Sequence, residues 1–158
     1  MLRRIIFLFT FVFNFSFSIF SQPDFCHVRI SLLTCTPGED LYSTFGHSAL
    51  RVTDTASNTD IVYNYGTFNF EEPGFYTKFI RGKLLYYLST EEFRSFANFY
   101  KEDNRGITEQ VLNLNCTEKK RITDLLQTNL LPQNRGYKYD FLFDNCTTRL
   151  RDILEKAA

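Results

Sequence analysis

How much of this chain can build a core is decided near its N-terminus. From Ile5 to Phe20 twelve of sixteen residues are apolar, the exceptions being Thr10, Asn14, Ser16 and Ser18, and Arg3 and Arg4 precede the run. A basic start followed by an apolar stretch shorter than the roughly 20 residues that span a bilayer reads as a secretory signal, with Ser21 offering a small residue for cleavage. An uncleaved membrane anchor is the alternative. Eight of the 18 Phe lie within the first 25 residues, so much of the apparent aromatic wealth belongs to the export segment. The expected organisation is a signal peptide (or uncleaved anchor) over residues 1–21 and one folded domain over 22–158.

The chain carries 18 Lys plus Arg against 18 Asp plus Glu. Removing Arg3 and Arg4 leaves 16 basic and 18 acidic residues, a balance with no positive field to collect phosphates, which excludes general nucleic-acid binding. With 44% apolar and 23% charged residues the composition is globular. After residue 25 nothing is apolar enough to cross a membrane.

Alternation from His27 to Leu33, with Val28, Ile30 and Leu32 on one side, predicts a half-buried strand. Residues 48–53 (SALRVT) and 61–65 (IVYNY) read as two strands of a hairpin around a polar loop, and residues 83–88 as another strand. Thr90 is expected to open a helix to about Lys101, with Phe93, Phe96, Ala97 and Tyr100 on one face. Residues 107–114 alternate again. A second helix is expected from Thr117, as its cap, to about Leu130, ended by Pro132. The last helix is expected to start at Asp144 as N-cap and to place Cys146, Leu150, Ile153 and Leu154 on one face. Central strands flanked by helices give an α+β domain.

Four Cys in an exported chain allow two disulfides in three pairings. Cys146, however, falls in the first turn of the final helix, where unpaired N–H groups and the helix dipole stabilise an anion and lower the thiol pKa. Cys116 has similar neighbours (Asn115 and Thr117, against Asn145 and Thr147), but a cap at Thr117 would leave it outside its helix. The dipole argument therefore prefers Cys146, although a buried small side chain or half of a disulfide is the bland reading of any one Cys. If Cys146 is reserved, Cys26, Cys35 and Cys116 can form at most one disulfide.

A thiolate needs a base, and the chain has two His. His47 follows Gly46 at the mouth of a strand, where it can face a neighbouring helix terminus, whereas His27 has no turn to orient it. A Cys and a His in hydrogen-bond reach form a thiolate–imidazolium pair suited to acyl transfer. Asn64 is the expected third group that orients His47, with Tyr65 and Ser43 behind it. Arg81 and Lys83, flanking Gly82, are candidate contacts for an anionic substrate group, as is Tyr65 for substrate. Tyr137, Tyr139, Phe141 and Phe143 alternate before Cys146 and either line an acyl groove or pack in the core. Metal-ligand spacing is missing, with no Cys-x-x-Cys and no His-x-x-x-His, so no metal and no cofactor is expected. The glycines are scattered singly rather than gathered into a phosphate loop.

Read together, residues 32–52 (LLTCTPGEDLYSTFGHSALRV) resemble the signature of the Lnb N-terminal periplasmic domain family, and residues 63–68, 78–84, 134–141 and 144–152 resemble it in the same order. The resemblance implies a periplasmic domain with a circularly permuted papain-like fold, in which the His strand precedes the Cys helix and an antiparallel sheet carries that helix. It also implies lipoprotein N-acyltransferase chemistry, with a phospholipid as acyl donor, the N-terminal amine of a lipoprotein as acceptor, and a membrane surface nearby. Family members continue into a membrane-spanning C-terminal region that these 158 residues do not contain, so a substrate drawn from the bilayer is expected to be reached by this domain alone. Two rival readings keep the same residues: a permuted cell-wall peptidase or amidase, and a non-catalytic periplasmic binding domain.

Overall fold

A computed structural model describes residues 25–158, and the segment read as a signal peptide lies outside them. After a single 3-10 turn at Phe25–His27 come β1 (Val28–Cys35), β2 (His47–Asp54) and β3 (Thr59–Phe68), then α1 (Phe75–Ile80), β4 (Leu85–Glu92), α2 (Phe93–Glu102), β5 (Ile107–Val111), α3 (Cys116–Leu130), β6 (Gly136–Lys138) and α4 (Cys146–Ala157). The strands form one sheet in the order β5-β1-β2-β3-β4-β6, with every pairing antiparallel. The domain is α+β.

Helices cover both faces of the sheet, and this changes the reading of β1. Rather than being half-buried, β1 buries Val28 and Ile30 in the core under α3 and α4, and Leu33 and Cys35 in the core under α2 on its other side, with Ser31 buried as well. On the first face Ile122 and Leu126 of α3 and Leu150, Ile153 and Ala157 of α4 pack on Ile30, Leu50, Val52, Tyr63 and Tyr65. On the second, Phe96 and Tyr100 of α2 cover Leu33, Cys35, Ala49 and Val62. Because side chains alternate across a strand, the even and odd residues of β1 feed different cores.

Three boundaries differ from expectation. Thr90 does not open a helix: β4 continues through Glu91 and Glu92, which pair with Val62 and Ile61, and α2 begins at Phe93. Ladder bonds along a long neighbour outweigh a local helix-start signal. Asn115, not Thr117, caps α3, its Oδ1 accepting from the Glu118 N–H while Glu118 accepts from the Asn115 N–H. Asn145, not Asp144, caps α4, in a reciprocal capping box with Thr148. Asp144 instead forms a two-pronged ion pair with Arg149. The six-residue α1 and three-residue β6 are too short to leave a periodic pattern.

Cys26 and Cys116 are joined by a disulfide that ties the start of the domain to α3. Arg51 on β2 clamps the second face: it bonds both carboxylate oxygens of Asp60, reaches Glu109 on β5, and lies 3.5 Å over the Phe93 ring.

Candidate active site

The loop leading into α4 is held before the helix begins. Asp140 and Asp144 bond each other through their backbones, Asp140 Oδ1 accepts the N–H groups of Leu142 and Phe143, and Asn145 Nδ2 donates to the Phe141 carbonyl. Cys146 is then the first residue of α4. The first N–H groups of a helix have no carbonyl one turn upstream; the capping box engages that of Thr148. Thr147 Oγ1 donates to Ser48 Oγ at 3.3 Å, which docks the start of α4 on the start of β2.

That docking brings Cys146 to His47. The thiol is hydrogen-bonded with His47 and accepts from the Ser48 N–H, with Thr147 Oγ1 at 3.9 Å. Burial pushes the thiol pKa up, but the His47 hydrogen bond and charge, with the Ser48 and Thr147 contacts, outweigh it and bring the thiol down to about 7. The other free cysteine, Cys35, is buried and is pushed up to about 11 by that burial, in spite of a hydrogen bond with Tyr100 and the Arg105 charge. Two thiols a few residue-widths apart are thus set to opposite reactivities by their surroundings.

His47 Nε2 lies 2.8 Å from Asn64 Oδ1, and the same oxygen accepts the Gly66 N–H at 2.7 Å. A backbone N–H can only donate, so the Asn64 atom at this junction is the oxygen; an oxygen can only accept, so Nε2 carries the proton. In the neutral ring Nδ1 is then the unprotonated nitrogen left for the thiol. The tautomer of a base that takes the Cys146 proton is therefore set by a residue of β3.

Two glycines make room for this arrangement. Gly46 has φ +73°, a left-handed conformation that disfavours side chains, and a Cβ there would meet the Cys35 carbonyl at 2.6 Å. Gly66 lies against the imidazole itself, where a Cβ would meet His47 Cε1 at 2.4 Å.

Two cavities open on the pair and share Gly46, His47, Tyr139 and Cys146. One, about 400 Å³, has an aromatic wall that includes Tyr42, Phe68, Phe96, Tyr100 and Tyr137, with Asn64, Ser89, Glu91 and Arg105 among its polar groups. The other, about 470 Å³, is lined by Thr34, Ser48, Asn145, Thr147 and Thr148 together with Phe45 and Phe141. Among the described residues no group of three or more His, Cys, Asp and Glu is arranged to hold a metal.

The model of the Lnb N-terminal periplasmic domain matches residues 19–158. The chain belongs to the Lnb N-terminal periplasmic domain family. No curated protein and no solved structure matched it. The family is one of periplasmic domains, a compartment in which a disulfide such as Cys26–Cys116 persists. No helix among the described residues of this Lnb domain is long and apolar enough to cross a membrane.

Of the residues singled out in the sequence, the fold of this Lnb domain gathers Cys146, His47 and Asn64, with Ser43 in the wall of the aromatic cavity. Tyr65 goes elsewhere: it is 1% exposed, in the core on the α3/α4 face, with its hydroxyl accepting from Asn129. Neighbours in a strand point to opposite faces, which leaves Asn64 lining the cavity and Tyr65 lining neither cavity. Arg81, at the C-cap of α1, and Lys83 are exposed and line neither cavity. The cation that does line the aromatic one is Arg105, which donates to the Thr36 carbonyl and lies 4.5 Å over the Tyr100 ring. The aromatic series before Cys146 also divides. Tyr137, Tyr139 and the half-exposed Phe141 (51%) enter the cavity walls, while Phe143, 79% exposed, lines neither cavity. Glu91, Arg105 and Gly66 were not legible as site residues: the first lies where a helix was expected, and the others are lone residues without a motif.

Proposed function

We propose that this domain is a thiol acyltransferase acting on a phospholipid ester, with Cys146 as nucleophile and His47 as base. The observation that carries this reading is the hydrogen-bonded series Cys146, His47, Asn64, with its thiol near neutral pKa, at the mouth of an aromatic cavity. Cys146 Sγ attacks the ester carbonyl as its proton passes to His47 Nδ1; the C–O bond breaks and the leaving alkoxide takes the proton back, leaving a thioester. The amine of an acceptor, an N-terminal amine of a lipoprotein, then attacks the thioester carbonyl, its proton goes through His47 to the departing sulfur, and an amide is released. The N–H of Cys146, at a helix start, is the donor assigned to the developing oxyanion, where loss of one such donor typically costs ~10² to 10³ in rate.

A lipid source is favoured over a soluble cell-wall peptide by the rim. Phe45 (73% exposed) and Phe141, whose rings lie 4.6 Å apart, line one cavity with Cys146, and the exposed Leu142 (68%) and Phe143 (79%) follow Phe141 in the chain. Contiguous exposed apolar groups held outward by a hydrogen-bonded loop suit a membrane surface and cost solubility otherwise. Within the aromatic cavity Arg105, rather than Arg81 or Lys83, is positioned for a lipid phosphate.

The test is incubation with phospholipid vesicles and a diacylated lipoprotein peptide, followed by mass spectrometry of the intact protein. An acyl adduct on Cys146, absent in Cys146→Ala and discharged by the peptide amine, is the expected result. Adduct formation from a cell-wall peptide but not from phospholipid would replace this reading with the peptidase one. No adduct from either, with Cys146→Ala equivalent to wild type in cells, would leave a binding domain.

A further inference from the structure

We propose that Glu91 is a positioning residue for the Cys146–His47 pair, acting through Asn64 by holding its amide in the one orientation that makes His47 a base at Nδ1. The inference rests on the reading of Cys146 and His47 as the reacting pair, and concerns a residue outside that pair. Glu91 lies on β4 opposite Val62, and Ser89 lies opposite Asn64. Paired residues and residues two apart share a face of the sheet, so Glu91, Ser89, Val62 and Asn64 are on the α2 side. His47 is on that side too, since it pairs with Cys35, whose side chain packs under α2.

The Asn64 amide has two ends with different duties. Its oxygen already receives two donors, His47 Nε2 and the Gly66 N–H. Its NH₂ end is left for Glu91, which stands diagonally across the β3–β4 pair from Asn64, lines the same cavity, and has its carboxylate pKa drawn down by the amide as a hydrogen-bond partner. An ionised carboxylate only accepts, so turning the amide over would set oxygen against oxygen at Glu91 and NH₂ against an N–H at Gly66. Both ends oppose the flip. Were it to occur, an NH₂ facing the ring would require Nε2 to accept, the proton would move to Nδ1, and the nitrogen facing Cys146 could no longer take the thiol proton.

The carboxylate also faces the imidazole electrostatically. Burial raises the Glu91 pKa, and the Asn64 hydrogen bond and the His47 charge work against that rise. A half-buried carboxylate in the wall of an aromatic cavity is costly to desolvate, and the partners that offset the cost here are the groups that order the base. Of the other polar groups on the α2 side, Arg51 is engaged by Asp60 and Glu109. Arg105 bonds Thr36, and Tyr100 bonds Cys35. Among the described residues, Asn64 and His47 are thus the groups that favour the charged Glu91 carboxylate. Ser89 is engaged by Thr67 on the neighbouring strand.

The experiment measures the rate at which Cys146 reacts with an aromatic disulfide as a function of pH, in the full chain carrying Glu91→Gln, Glu91→Ala or no substitution, with thermal unfolding of each. Glu91→Gln keeps shape and a carbonyl acceptor but removes the charge and adds a donor that permits the flip. The expected result is that the midpoint of the profile moves above about 7, with the rate at pH 7 falling about two- to threefold in Glu91→Gln and further in Glu91→Ala. Profiles that superimpose on wild type in folded variants overturn the proposal, even if acyl transfer falls. If Glu91→Ala fails to fold, the near-isosteric Glu91→Gln decides. Since the readout is the thiol's own reactivity, failure of phospholipid to acylate Cys146 refutes the proposed substrate and leaves this result intact.

Discussion

Replacing Gly66 by Ala should disarm Cys146 without unfolding the domain. A Cβ at residue 66 would sit 2.4 Å from His47 Cε1, 2.9 Å from Nδ1 and 3.0 Å from Nε2, where ordinary contact starts at 3.4 Å. The ring must therefore retreat by about 1 Å, which stretches the 2.8 Å bond to Asn64 beyond hydrogen-bond range and withdraws the ring from the thiol. Gly66 lies beyond the last β2–β3 pair, Leu50 with Tyr63, and inside the β3–β4 register shift between Asn64 and Thr67, so what holds its backbone against the ring is the bond from its N–H to Asn64 Oδ1, the atom that also engages His47. Without His47 the thiol returns at least to its ordinary value of 9.0 from about 7. At pH 7 the thiolate fraction then falls from about one half to about 1%, roughly 50-fold, while a more basic thiolate is intrinsically more nucleophilic by about eightfold for a Brønsted slope near 0.45. The net expectation is a roughly sixfold slower reaction with an aromatic disulfide at pH 7 and a profile whose midpoint moves from about 7 to 9 or above. The assay is selective because Cys26 and Cys116 are bonded to each other and Cys35 is 2% exposed. An acyl-transfer assay should show a larger loss, on the order of 10²-fold, since a 1 Å displacement of a reacting group is costly. An unchanged midpoint in a folded Gly66→Ala protein would refute the claim that His47 sets the reactivity of Cys146.

Further expectations concern stability. Breaking the Cys26–Cys116 disulfide, by reduction or by Cys116→Ser, should cost about 2–4 kcal/mol, with a chain-entropy ceiling near ~4.6 kcal/mol for a separation of 90 residues; urea unfolding with and without reductant checks this, and coincident curves would show that the bond constrains nothing. The Ser31 hydroxyl is buried with no hydrogen-bond partner among the described residues, so Ser31→Ala should be neutral or stabilising by up to about 1 kcal/mol. A drop in melting temperature would mean that the hydroxyl has a partner after all. Ionisation of Cys146 links stability to pH: the native thiol loses its proton near 7 and the unfolded one near 9.0, so between these values the unfolded chain holds more protons and stability rises with pH. This contribution, roughly 2.7 kcal/mol at most, is fully present above 9 and lost as pH falls through about 7. The gap in unfolding free energy between wild type and Cys146→Ser should widen in favour of wild type from pH 6.5 to 9, and a constant gap would contradict a lowered thiol pKa.

The sequence by itself determined the element types and the identity of the reacting pair's candidates, because those signals are local. Alternation marked β1 to β3, the Phe96 and Tyr100 spacing marked α2, and the order of motifs marked the family. A helix beginning at Cys146 could be read from its own neighbours. The local ground for preferring Cys146 to Cys116, a cap at Thr117, does not hold, for each is the first residue of a helix capped by an Asn in a reciprocal box. Tertiary structure separates them: one thiol meets Cys26 across 90 residues and forms a disulfide, and the other meets His47 and becomes acidic. The same holds for Asn64 and Tyr65, adjacent in the chain and sent to opposite faces by the strand, and for Arg81 and Lys83, which stay outside while Arg105 enters the cavity. Glu91 was hidden because its neighbours suggest a helix, whereas pairing with β3 keeps it in the sheet facing Asn64. Caps and periodicities act over a few residues, within reach of the chain's own geometry. Which thiol is acidic, which nitrogen of His47 is the base and which carboxylate stands behind it depend on groups that only strand register and helix docking bring within hydrogen-bond distance.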